Sequence, residues 1–133
     1  MNKKLLLTLF GVLSFLLISC DNDNIDGKWG DNIKLSQKTA TVTSESNSIT
    51  VTTQGDSWWL NGIAMNKVQV DLGNLDKLSK NFVFTNSEFK VERKDGKTVI
   101  ITMNKNTTNA ERLLSIGLQD GDYFDSINIT QSK

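Results

Sequence analysis

Beyond an apolar opening stretch the chain alternates. Ile49 and Val51, Val68, Val70 and Leu72, Phe82 and Phe84, Leu114, Ile116 and Leu118, and Ile127 and Ile129 recur at every second position, with mostly polar residues between them. Successive side chains of an extended strand point to opposite faces, so each run presents one apolar and one polar face. Burial of one face only belongs to antiparallel sheets. The pattern predicts strands over 33–35, 40–43, 48–53, 58–65, 68–72, 81–85, 89–93, 98–103, 112–118 and 125–131. Many short strands separated by turn residues are the signature of an all-β sandwich or barrel. Asp95-Gly96 and Asp120-Gly121 fall between strand pairs, and Asp-Gly accepts the positive φ angles of a tight hairpin. Leu72, Leu75 and Leu78 have the spacing of one or two helical turns.

The opening stretch is of another kind. Lys3 and Lys4 precede the uncharged run from Leu5 to Ile18, which is shorter than the ~20 residues a membrane-spanning helix needs. A charged start, a short apolar centre and small residues at its end describe a signal peptide, residues 1–19. The run closes on Leu17-Ile18-Ser19-Cys20, which resembles the lipobox of bacterial lipoproteins. That resemblance implies cleavage before Cys20, a diacylglyceryl group on its thiol, and attachment to a membrane through two or three acyl chains, enough for stable anchoring. Cys20 is the sole cysteine, so the exported domain is expected to fold without a disulfide. Removal of residues 1–19 from 133 leaves 114, enough for one compact domain.

Residues 20–28 then read as the lipidated cysteine and a polar, acidic tether, with the folded domain over 29–133. The segment from Asp21 to Asp26 resembles the acidic patch that Bacteroidetes lipoproteins carry behind the cysteine, which implies the outer membrane and the cell surface. Asn22, Asn24, Asp26 and Gly27 also match the first, third, fifth and sixth places of an EF-hand loop. Ile33 then occupies the twelfth place, where a glutamate is required, so no calcium site is expected.

Charge removes one class of partner. The whole chain carries 15 basic and 15 acidic side chains; loss of Lys3 and Lys4 with the signal peptide leaves 13 against 15. This is no footprint for nucleic acid, which demands a clustered basic excess. With no histidine and no free cysteine, the domain also lacks the commonest general base and the commonest metal ligands. The expectation is a non-catalytic domain with no metal and no cofactor.

Asn106-Thr107-Thr108-Asn109-Ala110-Glu111-Arg112, then Leu114, Ile116 and Leu118, then Ile127-Asn128-Ile129-Thr130-Gln131 together resemble the end of a BACON domain (Bacteroidetes-associated carbohydrate-binding often N-terminal). The segment 48–53, followed by Gly55 and a tryptophan, resembles an earlier part of that family. Phe89 stands where members usually carry a second tryptophan, and residues 60–88 have no counterpart. The resemblance implies a single immunoglobulin-like antiparallel β-sandwich and a non-catalytic binding role, with extracellular glycan such as mucin or polysaccharide as ligand. A structural or adaptor role against another envelope protein is the alternative.

Sugar binding by a sandwich relies on exposed aromatic faces that stack on pyranose rings. Trp29, Trp58, Trp59, Tyr123 and Phe124 are the available aromatics near polar segments. Trp58 and Trp59 are adjacent and face opposite sides of an extended strand, unless a bulge intervenes. Phe124 shares parity with Ser126, Asn128 and Thr130, whereas Tyr123 aligns with Ile127 and Ile129. Trp58, Trp59 and Phe124 are the expected ligand-binding residues, with at most one of the two tryptophans wholly in the core. Arg112 is read either as a strand-opening structural residue or as a partner for an aromatic. Asp125-Ser126-Ile127 resembles the short O-glycosylation site of Bacteroidetes exported proteins.

Overall fold

The computed structural model describes residues 30–133. The signal peptide, Cys20, the acidic tether and Trp29 lie outside the described residues. Nine strands form two sheets: β1 (Thr39–Val42), β2 (Asn47–Thr52), β3 (Trp59–Met65), β4 (Val68–Gln69), β5 (Phe82–Thr85), β6 (Phe89–Lys94), β7 (Thr98–Met103), β8 (Arg112–Asp120) and β9 (Tyr123–Gln131). One sheet has the order β1-β9-β8-β3-β4 and the other β2-β7-β6-β5. The two pack face to face as an immunoglobulin-like sandwich. All neighbours are antiparallel except β1, which runs parallel to β9.

Alternation places the core. β8 contributes Leu114, Ile116 and Leu118 inward, β9 contributes Ile127 and Ile129, and β6 and β7 answer with Phe89, Val91, Val99 and Ile101, all buried. Burial of this apolar surface drives the two sheets together. The predicted strand at 33–35 reduces to one bridge between Leu35 and Thr53, while Ile33 is fully buried beneath it.

Both Asp-Gly hairpins form. Asp95 and Gly96 adopt φ of 51° and 76° between β6 and β7. At the second, the last paired residues are Asp120 and Tyr123, so the turn residues are Gly121 and Asp122, with Gly121 at φ 60°. A third tight turn, Asn66-Lys67 at φ 50° and 67°, joins β3 to β4. Both central residues have positive φ, as a type I′ turn requires.

No helix forms over 72–79, contrary to the leucine spacing. The Asp71 carboxylate accepts the Gly73 amide at 2.9 Å, and that of Asp76 accepts the Leu78 amide at 3.1 Å. These side-chain turns compete with helical hydrogen bonding, and Gly73 is left-handed at φ 57°. Leu72 and Leu75 still pack against the core. The segment also covers the free edge of β3, where Leu60 donates to the Lys77 carbonyl at 3.0 Å and Val70 to Ile63 at 2.9 Å.

Two buried arginines close the ends of the sandwich. At one end Arg93 donates to the carbonyls of Gly96 (3.1 and 3.0 Å), Ser79 (3.0 Å) and Asp56 (2.9 Å). At the other, Arg112 donates to the Gln131 side-chain oxygen at 3.0 and 2.6 Å and to the Asn104 carbonyl at 2.7 Å. Gln131 in turn donates to Asn104 and Glu45, and Asn106 ties Ala110 to Ser132. Arg112, Gln131 and the Asn104 carbonyl thus form one buried polar network, and Arg112 has a structural role.

Candidate functional site

The two adjacent tryptophans separate as parity requires. Trp58 is 2% exposed, which corrects its assignment as a ligand-binding residue. Its ring lies against the Arg93 guanidinium, 3.5 Å from the ring centroid. Its indole N–H donates to the Thr53 hydroxyl at 3.1 Å. Cation–π contact and a satisfied indole explain the burial of so large a side chain. Burial also lowers the Arg93 pKa to about 10, which leaves it charged at neutral pH above the indole.

Trp59 is half-buried on the other side of β3, the outer face of the five-stranded sheet. The register that follows is broken by a bulge: Leu60 pairs Leu118, and Gly62 pairs Gly117, with Asn61 the extra residue. The bulge lets Leu60 and Ile63, three positions apart, both point inward. Simple alternation from Trp59 would have sent Ile63 outward.

Three parallel rows of side chains cross the outer face. The first is Trp59 on β3, Gln119 on β8 and Phe124 on β9, which pair directly across the strands. Phe124 is 58% exposed. The second row is Gly62, Gly117 and Ser126, and the third Ala64, Ser115 and Asn128, with Gln69 of β4 opposite Ala64. Since the middle row has almost no side chain, a trough of ≈ 280 Å³ lies over it. Glycine facing glycine in the middle of a sheet weakens it, each by roughly 0.5–1 kcal/mol relative to Ala. Such a glycine commonly marks a place where a ligand or another backbone comes close.

The trough walls are amides and hydroxyls. Ser115 donates to the Asn128 side-chain oxygen at 2.8 Å, and Asn128 donates to the Ser126 hydroxyl at 2.9 Å. This chain fixes the Asn128 amide and leaves it one free N–H. Gln119 donates to the Gly121 carbonyl at 3.0 Å. Asn61 and Gln69 are exposed. Ser126 therefore sits mid-strand in the trough floor and already accepts a hydrogen bond, while Ile127 of the Asp125-Ser126-Ile127 motif is buried in the core.

Tyr123 points inward as its parity predicts and packs against the core. Its hydroxyl donates to Asp125 at 2.9 Å, and Lys38 pairs the same carboxylate at 2.9 Å. Burial raises the Asp125 carboxyl, but hydrogen bonds from Lys38, the Ser126 amide and Tyr123 outweigh it and hold it below the ordinary value. Among the described residues no cluster of His, Cys, Asp and Glu could hold a metal ion. Of the expected ligand-binding residues, the structure brings Trp59 and Phe124 into one row. Gln119, Gly62, Gly117 and Asn128 were not singled out from sequence, because only the strand register reveals them as neighbours.

No protein-family model matches the sequence, and no curated protein does. Among solved structures the chain is similar to a protein from Bacteroides thetaiotaomicron determined by NMR. The TM-score is 0.65 and the identity 19%, over 86% of this chain and 97% of that one. A Bacteroides ovatus GH5 xyloglucanase in complex with a XXXG heptasaccharide aligns at TM-score 0.49 and 20% identity, over 75% of this chain and 18% of that one. The titin M3 domain aligns at TM-score 0.42 and 6% identity, over 75% of this chain and 90% of that one. At such identities a likeness concerns the fold, an all-β sandwich of immunoglobulin type.

Proposed function

We propose that this chain is a Bacteroidetes-type lipoprotein, anchored in the outer membrane through Cys20, whose BACON-like sandwich is a non-catalytic glycan-binding module displayed at the cell surface. The observation that carries the binding role is the row Trp59–Gln119–Phe124 beside the glycine-floored trough. Sugar rings offer an apolar face and a rim of hydroxyls. An aromatic next to fixed amides matches both, as ligand sites generally combine apolar contact with a few placed polar groups. Trp59 and Phe124 stand two strands apart, about 10 Å, on either side of an amide.

The anchor reading rests on the charged start, the short apolar run and the cysteine at its end. The binding test is affinity electrophoresis of the mature chain, with Cys20→Ser to prevent lipidation, in gels that contain polysaccharides. Retardation that is lost in Trp59→Ala and Phe124→Ala, but kept in an outer-face change on the other sheet such as Thr50→Ala, is the expected outcome. Equal retardation of all three variants contradicts the assignment. Protease treatment of intact cells tests display: the domain is digested if it faces outward and protected if it does not.

A second reading is favoured by β5. It is an edge strand of its sheet, and Val83 on it is 51% exposed, a geometry that can accept a strand from another envelope protein. Copurification of one protein that Val83→Lys abolishes would support this adaptor role.

A further inference from the structure

We infer that the trough takes the body of an uncharged polysaccharide chain laid across the strands; this rests on the glycan-binding reading and specifies its ligand class. Three observations converge. The first is direction. The residues without bulk, Gly62, Gly117 and Ser126, follow one another from β3 to β8 to β9, so the depression runs perpendicular to the strands and crosses three of them. The aromatic wall runs alongside, which lets successive sugar rings of one chain meet Trp59 and then Phe124.

The second is width. Ser115, which lines the trough, and Gln119, in the aromatic row beside it, are four residues apart on β8, about 13 Å between Cα positions. After side chains are allowed for, this admits one sugar chain lying flat and not a folded peptide element.

The third is charge. Every side chain that lines the trough is neutral: Asn61, Gln69, Ser115, Ser126 and Asn128, with Ala64 and the two glycines. The first row adds Trp59, Gln119 and Phe124, also neutral. The nearby Lys38 is already paired to Asp125. A carboxylated or sulfated glycan would be stripped of water here with no cation among the lining residues to meet it, which is costly. Neutral hydroxyls can instead exchange water for the free amides of Asn61, Gln69 and Asn128.

The test uses the mature chain with Cys20→Ser against neutral chains (galactomannan, mixed-linkage β-glucan) and anionic ones (polygalacturonate, chondroitin sulfate). Gly117→Val is the blocking variant. A Cβ at residue 117 meets the Asn61 side chain and the Gly62 carbonyl at 3.5 Å, ordinary contact, so the first side-chain atom fits there. Its melting temperature is read alongside, and Trp59→Ala gives an independent loss should Gly117→Val unfold.

The expected result is binding of at least one neutral chain, insensitive to salt and weakened about tenfold or more by Gly117→Val or Trp59→Ala. Anionic chains would bind at least about tenfold more weakly than that neutral chain. Anionic chains held as well as neutral ones, and lost in the same variants, overturn the ligand class but leave glycan binding intact. Neutral binding unchanged in both variants overturns the site. Absence of binding to either class overturns the glycan reading together with this inference, as does capture of a protein by the same face.

Discussion

At the scale of the residue, Arg93 decides what the two tryptophans do. Its guanidinium meets three backbone carbonyls and the face of Trp58. Arg93→Ala would orphan those carbonyls beneath the ring and open a cavity. The expected destabilisation is about 3–5 kcal/mol, measured by urea denaturation. Trp58→Phe loses the bond to Thr53, part of the buried ring volume and part of the contact with Arg93, at a cost of about 2–3 kcal/mol. Asp125 carries a pH prediction. Its folded pKa lies below the ordinary carboxylate value, so its contribution is complete above the unfolded pKa and fades as pH falls through the folded one. Lys38, raised chiefly by its hydrogen bond to Asp125, contributes below its unfolded pKa and loses that as pH rises through the folded one. Lys38→Met should therefore move the Asp125 titration upward, measurable by NMR of its side-chain carbon, and make the domain lose stability at a higher pH on acidification. Parity predicted that Trp58 and Trp59 face opposite sides. Which of them is inside depends on Arg93, some 35 positions along the chain, and on the bulge at Asn61, neither of which local alternation contains.

At the scale of the element, strands were legible and their ends less so. Nine of the predicted runs appear as strands because alternation of Ile, Val, Leu and Phe with polar residues is both a β pattern and a burial pattern. The run at 68–72 shortens to β4 because Asp71 and Gly73 turn the chain away. The leucines at 72, 75 and 78 mimic a helix, yet the Asp71 and Asp76 side chains take the amides a helix would use. The turn at Asn66-Lys67 was not anticipated, since lysine is a poor choice for positive φ. A non-glycine residue there costs about 1 kcal/mol. Lys67→Gly should stabilise the domain by about 0.5–1 kcal/mol, a rise in melting temperature of several degrees. Gly96 should respond in the opposite sense. At φ 76°, with Asp56 only 3.0 Å from an added Cβ, Gly96→Ala is expected to lower the melting temperature.

At the scale of the whole molecule, the sandwich has two unlike outer faces. On the four-stranded sheet Lys90, Glu92 and Lys94 stand among threonines, with ion pairs of 3.8 Å between them. The five-stranded sheet presents neutral amides, hydroxyls, two aromatics and a glycine floor. The first is an ordinary solvated surface; the second spends stability on facing glycines where no turn requires them. Sequence alone supplied Trp58, Trp59 and Phe124 as candidates, of which Trp58 is buried, but not the trough, because its rows are assembled from β3, β8 and β9 by register. The most direct test of this account is amide NMR of the ¹⁵N-labelled mature chain, with Cys20→Ser, titrated with a neutral oligosaccharide. The account predicts shifts that grow with ligand and cluster on Trp59, Gly62, Gly117, Gln119, Phe124 and Asn128. Shifts confined to the β2–β7–β6–β5 sheet, or none at saturating ligand, would contradict it.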